Sequence, residues 1–475
     1  MACPDEPTRQ ERLLLMLSPA RRVALWMVVP CSVAGVLPAG TQEPPQPRKI
    51  AVFGSSVAHG SGDHGGGGGY AGRLGALLDS RGWEVVNVSR GGDNTVTIAP
   101  RFETDLVPQG AGHVLIGLSL ANEGITRQED QAYRNGIWAR WRSGMLELVQ
   151  RCREAGMKVV VGNCYAKGAF ASDPELYAYT RRMNVEISRW DVPSVNFLGA
   201  IDDGAGAWVE HFYADDGHPN GAGHQEMFLA IVPSVFEALD AGKPVPHKAA
   251  GNRYAHVDGG ASAQAPLSFT PDDAVHAFAV SFWVRPATNG VLAAIAGRDV
   301  VVRSEEYTRG KRSLRADMIE AGTLDIEATL EQRDGTIVYA AAGGAKASGA
   351  LSGDATWRHV VLSHGCARGE SQLYVDGQLA GAVAERFIPE TFFLGGGATP
   401  QPVAEADVRE WAVYRSSLNR DEVQFLYEGN LHQSSLEVYA PLADTSFAPG
   451  MTIENRAQSM SQIEVVSTGL TARTE

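Results

Sequence analysis

Lys49-Ile50-Ala51-Val52-Phe53-Gly54-Ser55-Ser56-Val57-Ala58-His59-Gly60 runs from an unbroken apolar stretch into a glycine and then into two hydroxyls. An apolar run without polar alternation predicts a strand buried on both faces, the habit of a parallel sheet covered by helices. Four further β-branched runs follow at residues 85–88, 114–119, 159–161 and 195–198. Between them Tyr133, Ile137, Trp141, Met145, Leu148 and Cys152 recur at helical spacing, as do Leu176, Thr180, Met183, Ile187 and Trp190. These stripes read as core-facing helix faces. Strand and helix alternating in this way predict a three-layer α/β domain, a parallel sheet flanked by helices, over residues 49–240. Sites in such sheets form at the carboxyl ends of the strands, which is where Ser55 and Ser56 fall.

Further along, residues 221–239 read as a last helix with Phe228, Ile231, Val235 and Leu239 on one face and a kink at Pro233. Residues 241–252, with Pro244 and Pro246, read as a linker. Beyond it the texture changes to short alternating strands at 279–285, 323–330, 336–341, 357–363 and 372–375, the last followed by the turn Asp376-Gly377. Many short strands without intervening helices predict an all-β jelly-roll sandwich over residues 253–469, with 470–475 as a tail. Only residues 419–427 look helical there.

In the other direction, residues 23–37 form a 15-residue apolar stretch preceded by Arg21-Arg22 and followed by Pro38-Ala39-Gly40. That pattern predicts a signal peptide, read from Met1 or from Met16, and a Pro-rich spacer up to residue 48. A signal-anchor or a disordered leader is the alternative. The expected location is secreted or at the cell surface, with no stable membrane span beyond the leader.

The chain has 475 residues, 44% apolar and 20% charged, which suits two soluble domains. Its formal charge of −14 and lack of a Lys/Arg cluster exclude nucleic acid and anionic membrane as natural partners. Of five cysteines, Cys3 and Cys31 lie in the leader, leaving Cys152, Cys164 and Cys366. Cys152 near a helix end and Cys164 at the far end of the next strand are too distant for a disulfide. No Cys/His spacing fits zinc, so these thiols read as small buried apolar groups.

The chemistry lies in four local stretches. Asp215-Asp216-Gly217-His218-Pro219 puts a carboxylate three residues before an imidazole, half of a charge-stabilised base. A serine hydroxyl is a weak nucleophile that needs such a base, and Ser56 supplies the hydroxyl. Asn87-Val88-Ser89-Arg90-Gly91-Gly92-Asp93 follows the second predicted strand, and Leu118-Ser119-Leu120-Ala121-Asn122-Glu123 follows the third. Taken singly, each is a common turn or cap. Their order, each after a strand or before the final helix, carries the reading.

In that order the first domain resembles the SGNH, or GDSL-type, hydrolase family, whose fold is flavodoxin-like. The resemblance implies Ser56 as nucleophile, with Ser55 standing where the family motif has Asp. It implies Gly92, with Gly91 as the alternative, and Asn122 as oxyanion donors beside the Ser56 backbone N–H. It also implies Asp215 rather than Asp216 as the partner of His218. The usual glycine of the Gly-x-Asn-Asp motif is absent before Asn122. His59, His64 and His224 have no assigned partner, and the glycine tract 65–69 lacks the Lys-Ser/Thr ending of a phosphate loop and reads as a permissive rim.

The second domain resembles the laminin-G-like, concanavalin-A-like sandwiches over residues 253–445 or 253–469. Three stretches carry this: Val280-Ser281-Phe282-Trp283-Val284-Arg285-Pro286; Trp357-Arg358-His359-Val360-Val361 with Leu373-Tyr374-Val375-Asp376-Gly377; and Leu418-Asn419-Arg420-Asp421-Glu422-Val423. Their aromatic residues read as core rather than sugar platforms. The resemblance implies carbohydrate binding, sometimes with calcium, but no acidic cluster is assigned to a metal and no cofactor is expected. The combined expectation is a secreted serine esterase that forms an acyl-enzyme, with an acylated glycan as substrate. The alternatives are a lipid esterase such as a lysophospholipase or short-chain lipase, and a surface lectin or adhesion protein whose hydrolase half is inert.

Overall fold

Strand β1 (Arg48–Gly54) sits between β2 (Trp83–Asn87) and β3 (His113–Gly117) in the computed structural model, which describes residues 48–351 and 357–475. With β4 (Lys158–Gly162) and β5 (Ser194–Val195) they form a parallel sheet of order β2-β1-β3-β4-β5. The expected burial on both faces holds: Ile50 and Val52 enter one apolar cluster, Ala51 and Phe53 another on the opposite side. The strand order reverses between β1 and β3, so their carboxyl ends diverge and open a crevice at Ser56. The leader and its signal-peptide reading, residues 1–47, lie outside the described residues.

Helices α1 (Ser56–His59), α2 (Gly69–Asp79), α3 (Thr95–Ile98), α4 (Gln131–Glu154) and α5 (Pro174–Ile187) cover the sheet. Two expectations need correction. The run 195–198 is not one strand: the Asn196 side chain accepts the Gly199 N–H and starts α6 (Phe197–Ile201) directly after β5. The last helix is not merely kinked but broken into α7 (Gly221–Leu229) and α8 (Val235–Asp240), with Pro233 in the gap, where it offers no N–H to continue the ladder. Between α6 and α7, the short strands β6 (Tyr213–Asp215) and β7 (His218–Pro219) pair antiparallel.

Past the linker the chain is all-β. One sheet contains β8 (Arg253–Val257), β11 (Phe278–Pro286), β16 (Arg358–Gly365), β17 (Glu370–Val375), β18 (Gln378–Ala384), β21 (Ala406–Tyr414), β22 (Leu436–Ala440) and β25 (Leu470–Thr474). The facing sheet contains β9 (Gly260–Ala263), β10 (Leu267–Phe269), β12 (Gly290–Arg309), β13 (Arg312–Arg333), β14 (Thr336–Ala340), β15 (Lys346–Ala350), β19 (Ile388–Leu394), β20 (Gln401–Val403), β23 (Thr452–Ile453) and β24 (Ile463–Val465). Phe269, Phe278, Phe282, Leu330, Phe392 and Trp411 belong to the core between them. The helix α9 (Arg420–Tyr427) starts at the Asn419 cap. Residues 470–474 are no tail: β25 pairs with β8 from Leu470↔Val257 to Thr474↔Arg253, so the chain's end is needed to cover the edge of the first sandwich strand.

The β12–β13 hairpin is far longer than the 323–330 strand expected. It pairs from Gly290↔Gln332 to Arg309↔Arg312. Its outer half leaves the sandwich and lies on the α/β domain, where Ala316 and Ile319 join the apolar cluster of Phe212, Ala222 and Met227. The two domains share further polar contacts, including Asn163 Nδ2–H to Ser434 Oγ at 3.0 Å, Ser435 N–H to the Ser194 carbonyl at 2.8 Å and Arg415 Nε–H to the Leu229 carbonyl at 3.0 Å. Residues 241–252 therefore connect two bodies that share a buried seam.

Candidate active site

Ser56 is the first residue of α1, one residue past the turn that ends β1, and the Ser55 N–H donates to the Gly117 carbonyl of β3 at 3.0 Å. This bond ties the turn to the neighbouring strand and leaves Ser56 half-buried at the crevice. From the β6–β7 turn, His218 Nε2 lies 2.9 Å from Ser56 Oγ, and His218 Nδ1 lies 2.7 Å from Asp215 Oδ1. With Nδ1–H donated to the carboxylate, Nε2 is the acceptor facing the serine hydroxyl. Asp215 Oδ1 also accepts the Gly217 N–H at 2.9 Å. Partial burial works against ionisation, but the Gly217 N–H, His218 and Arg309 together hold the Asp215 carboxyl below its usual range. Asp216 pairs instead with Lys167 Nζ at 2.6 Å.

A close approach fixes the imidazole from behind. Gly62, at φ +97°, passes so near that a Cβ there would lie 2.1 Å from the Pro219 carbonyl and 3.0 Å from His218 Cβ. The next helix is held by His224, whose Nδ1 accepts the Tyr70 N–H at 3.3 Å and whose Nε2–H donates to the Ser61 carbonyl at 3.1 Å. Burial depresses His224 to about 4, so it stays neutral and structural. His64 Nδ1 accepts the Gly221 N–H at 3.2 Å, while His59 is exposed. The glycine tract expected as a permissive rim is tied down at its ends: Asp63 accepts from Gly65 N–H, from Gly69 N–H and from Arg73 Nη1 at 2.6 Å.

The oxyanion candidates surround the same corner. A Cβ on Gly91 would sit 3.8 Å from Ser56 Cβ, so this loop lies against the nucleophile, while Gly92 adopts the left-handed φ of +84° with open space beside it. Asn122 Nδ2 donates to the Asp93 carbonyl at 3.2 Å, which fastens the β3 loop to the glycine loop and leaves its second N–H. Beneath them Asp93 pairs with Arg101, a buried brace that sequence reading did not single out. Ser55, in the position of the family's Asp, is fully buried and its Oγ meets Tyr165 Oη at 3.3 Å. Beside Gly91 the surface forms a shallow, open polar depression lined by Ser89, Arg90, Thr104, Asp105 and Gln109.

One participant was illegible in the sequence. Arg309, at the tip of the β12–β13 hairpin, places Nη2 2.7 Å from Asp215 Oδ2. Nothing near Arg309 in sequence resembles a hydrolase motif, so only the fold brings it here. Among the described residues no group of three or more His, Cys, Asp or Glu is arranged to hold a metal ion, and no helix is long and apolar enough to cross a membrane. Cys152, Cys164 and Cys366 are buried free thiols; burial pushes Cys152 up to about 12 and the other two upward as well.

Residues 52–226 match the GDSL-like lipase/acylhydrolase family, and residues 258–424 match the concanavalin A-like lectin/glucanases superfamily. No curated protein matches the chain. Similar solved structures include Axe2, an acetylxylan esterase from Geobacillus stearothermophilus (20% identity, TM-score 0.30, covering 38% of this chain and 91% of that one). Others are LAE5, an alpha/beta hydrolase from the metagenome of Lake Arreo, Spain (22%, TM-score 0.32, 38% and 92%), and TesA (20%, TM-score 0.32, 39% and 96%). By its family match the first domain is a GDSL-like acylhydrolase, a serine ester hydrolase, and a concanavalin A-like domain follows it.

Proposed function

We infer that this acylhydrolase cleaves acyl or acetyl esters of a carbohydrate through an acyl-enzyme, with Ser56, His218 and Asp215 as its triad. Ser56 Oγ attacks the ester carbonyl carbon while His218 Nε2 takes its proton. The tetrahedral oxyanion is received by the Ser56 and Gly92 N–H groups, or that of Gly91, and by the Asn122 amide, each such donor typically being worth about 2.7 to 4 kcal/mol of barrier. His218 then protonates the departing alkoxide, and water activated by the same nitrogen releases the acid. The observation that carries this reading is the continuous line Asp215–His218–Ser56, at 2.7 and 2.9 Å.

A sugar leaving group is supported by the polar depression beside Gly91 and by the concanavalin A-like domain in the same chain. Secretion is supported by the apolar stretch 23–37 after Arg21-Arg22. The test is a panel of p-nitrophenyl acetate, acetylated xylan and lysophosphatidylcholine, with fluorophosphonate labelling and the Ser56→Ala variant. Cleavage of acetylated glycan and loss of labelling in Ser56→Ala support the proposal. Preference for the lysolipid would replace the substrate class with a lipid ester, and a wild-type chain that neither labels nor turns over would leave the sandwich as the working half.

A further inference from the structure

The catalytic carboxylate has two oxygens, and the two domains divide them. Asp215 Oδ1 accepts from His218 and Gly217 of its own domain, whereas Oδ2 faces Arg309 of the sandwich hairpin at 2.7 Å. The hairpin does not reach the site as a loose arm. Tyr307 stacks on His64 with ring centroids 3.9 Å apart and planes at 11°, and Glu305 Oε2 lies 3.6 Å from His64 Nε2. On the return strand the Asp317 N–H donates to the His211 carbonyl at 3.3 Å, and Ala316 and Ile319 are buried against the α/β domain. His211 itself stands four residues before Asp215, so both ends of the segment that carries the carboxylate touch the hairpin.

We propose that the active site is composite: the sandwich hairpin completes it in cis, with Arg309 as a positioning residue that holds Asp215 through the carboxylate oxygen His218 does not use. The proposal rests on the triad reading above. A carboxylate bonded through one oxygen alone can rotate about its Cβ–Cγ bond, and a guanidinium on the second oxygen stops that rotation. Loss of this hold acts on turnover rather than on substrate binding, and this separates a positioning role from simple loss of structure.

The other groups facing the pair come from every neighbouring element: Ser56 of α1, Asp63 and His64 of the loop after it, His224 of α7, the Lys167–Asp216 ion pair, and Tyr307 of the hairpin. Of these, Tyr307 also feels the charge of Arg309. The concanavalin A-like domain on this view is part of the catalytic machinery, and its fusion to the hydrolase has a mechanistic reason beyond glycan delivery.

The experiment measures kcat and KM with p-nitrophenyl acetate for the full chain and for Arg309→Ala, Arg309→Lys and Arg303→Ala. Arg303, on the exposed part of the hairpin and paired with Glu320, serves as the control for hairpin stability. Arg309→Ala should lower kcat about tenfold with KM within about twofold. Arg309→Lys should restore part of kcat, while Arg303→Ala should match the parent. Wild-type kcat in Arg309→Ala would overturn the proposal, as would a loss of activity that Arg309→Lys does not relieve, that falls on KM instead, or that Arg303→Ala reproduces. Active-site titration with fluorophosphonate keeps the two readings apart: an unlabelled parent chain defeats the triad itself, whereas a labelled parent with an indifferent Arg309 defeats only the composite site.

Discussion

Among the described residues, two lines of serine, histidine and carboxylate can be compared, one at a crevice and one sealed. At the carboxyl edge of the sheet, Ser56, His218 and Asp215 are joined at 2.9 and 2.7 Å. At the seam between the domains, Ser188 Oγ lies 2.7 Å from His432 Nδ1, and Glu422 Oε1 approaches His432 Nε2 at 3.8 Å. Residue types and order are alike, but the second line is sealed: Ser188 is 2% exposed and both His432 and Glu422 are at 0%. Desolvation pushes His432 down to about 3 and Glu422 up to about 8, so near neutrality both are uncharged and their approach is not an ion pair. Asp215, in contrast, is kept ionised by Gly217, His218 and Arg309 against partial burial. An imidazole becomes a base when a charged carboxylate can stabilise its protonated form, and when substrate can reach the serine.

The largest contrast should come from the serines. Ser56→Ala is expected to lower kcat by about 10^4- to 10^6-fold, whereas Ser188→Ala should leave it within about twofold. Steady-state hydrolysis of p-nitrophenyl acetate measures both, and comparable losses in the two variants would erase the distinction. Next in size, Asp215→Asn should cost about 10^4-fold in kcat by presenting the wrong imidazole tautomer, with Glu422→Gln near wild type. Retention of full activity by Asp215→Asn would remove the charge argument.

A smaller effect concerns stability against pH. Glu422 has a folded value near 8 against 4.5 unfolded, so its contribution is full below pH 4.5 and declines as pH rises toward 8, on the order of a few kcal/mol. His432, with a folded value near 3 against 6.5, contributes fully above pH 6.5 and loses that contribution as pH falls toward 3. Below pH 6.5 the two contributions run in opposite directions, so thermal melts from pH 6.5 to 8 should show a decline in the parent chain that Glu422→Gln flattens; parallel curves would place the titration elsewhere. Smallest of all, Ser188→Ala strands the buried His432 Nδ1 and should cost about 1 to 3 kcal/mol in denaturant unfolding, with catalysis untouched. No change would mean that the seam repacks around the gap.

Much of the site was legible because each of its motifs is local. Gly54-Ser55-Ser56 follows an apolar strand, Asp215 and His218 share one turn, and the loops at Gly91-Gly92 and Asn122 each follow a strand, so three- to seven-residue windows contained the signal. Elements were misread where a local pattern was overruled by distant pairing. Residues 195–198 look like a strand until Asn196 caps a helix, and residues 470–474 look like a tail until they meet β8. The long hairpin escaped notice because its outer half carries Arg303, Glu305, Glu306 and Arg312 among exposed positions, which breaks the alternation that marks a half-buried strand.

The sequence by itself determined the fold class, the local stretches that carry Ser56, Asp215 and His218, and the presence of a second β domain, because strand period, turn glycines and motif order are written in neighbouring residues. Tertiary structure alone decided which serine–histidine pair is open to solvent, since Ser188 and Ser56 differ in burial rather than in kind. It alone brought Arg309 to Asp215 across 94 positions of chain. Electrostatics acts through space and depends on what has been desolvated, and neither distance nor desolvation is encoded in any short window of residues.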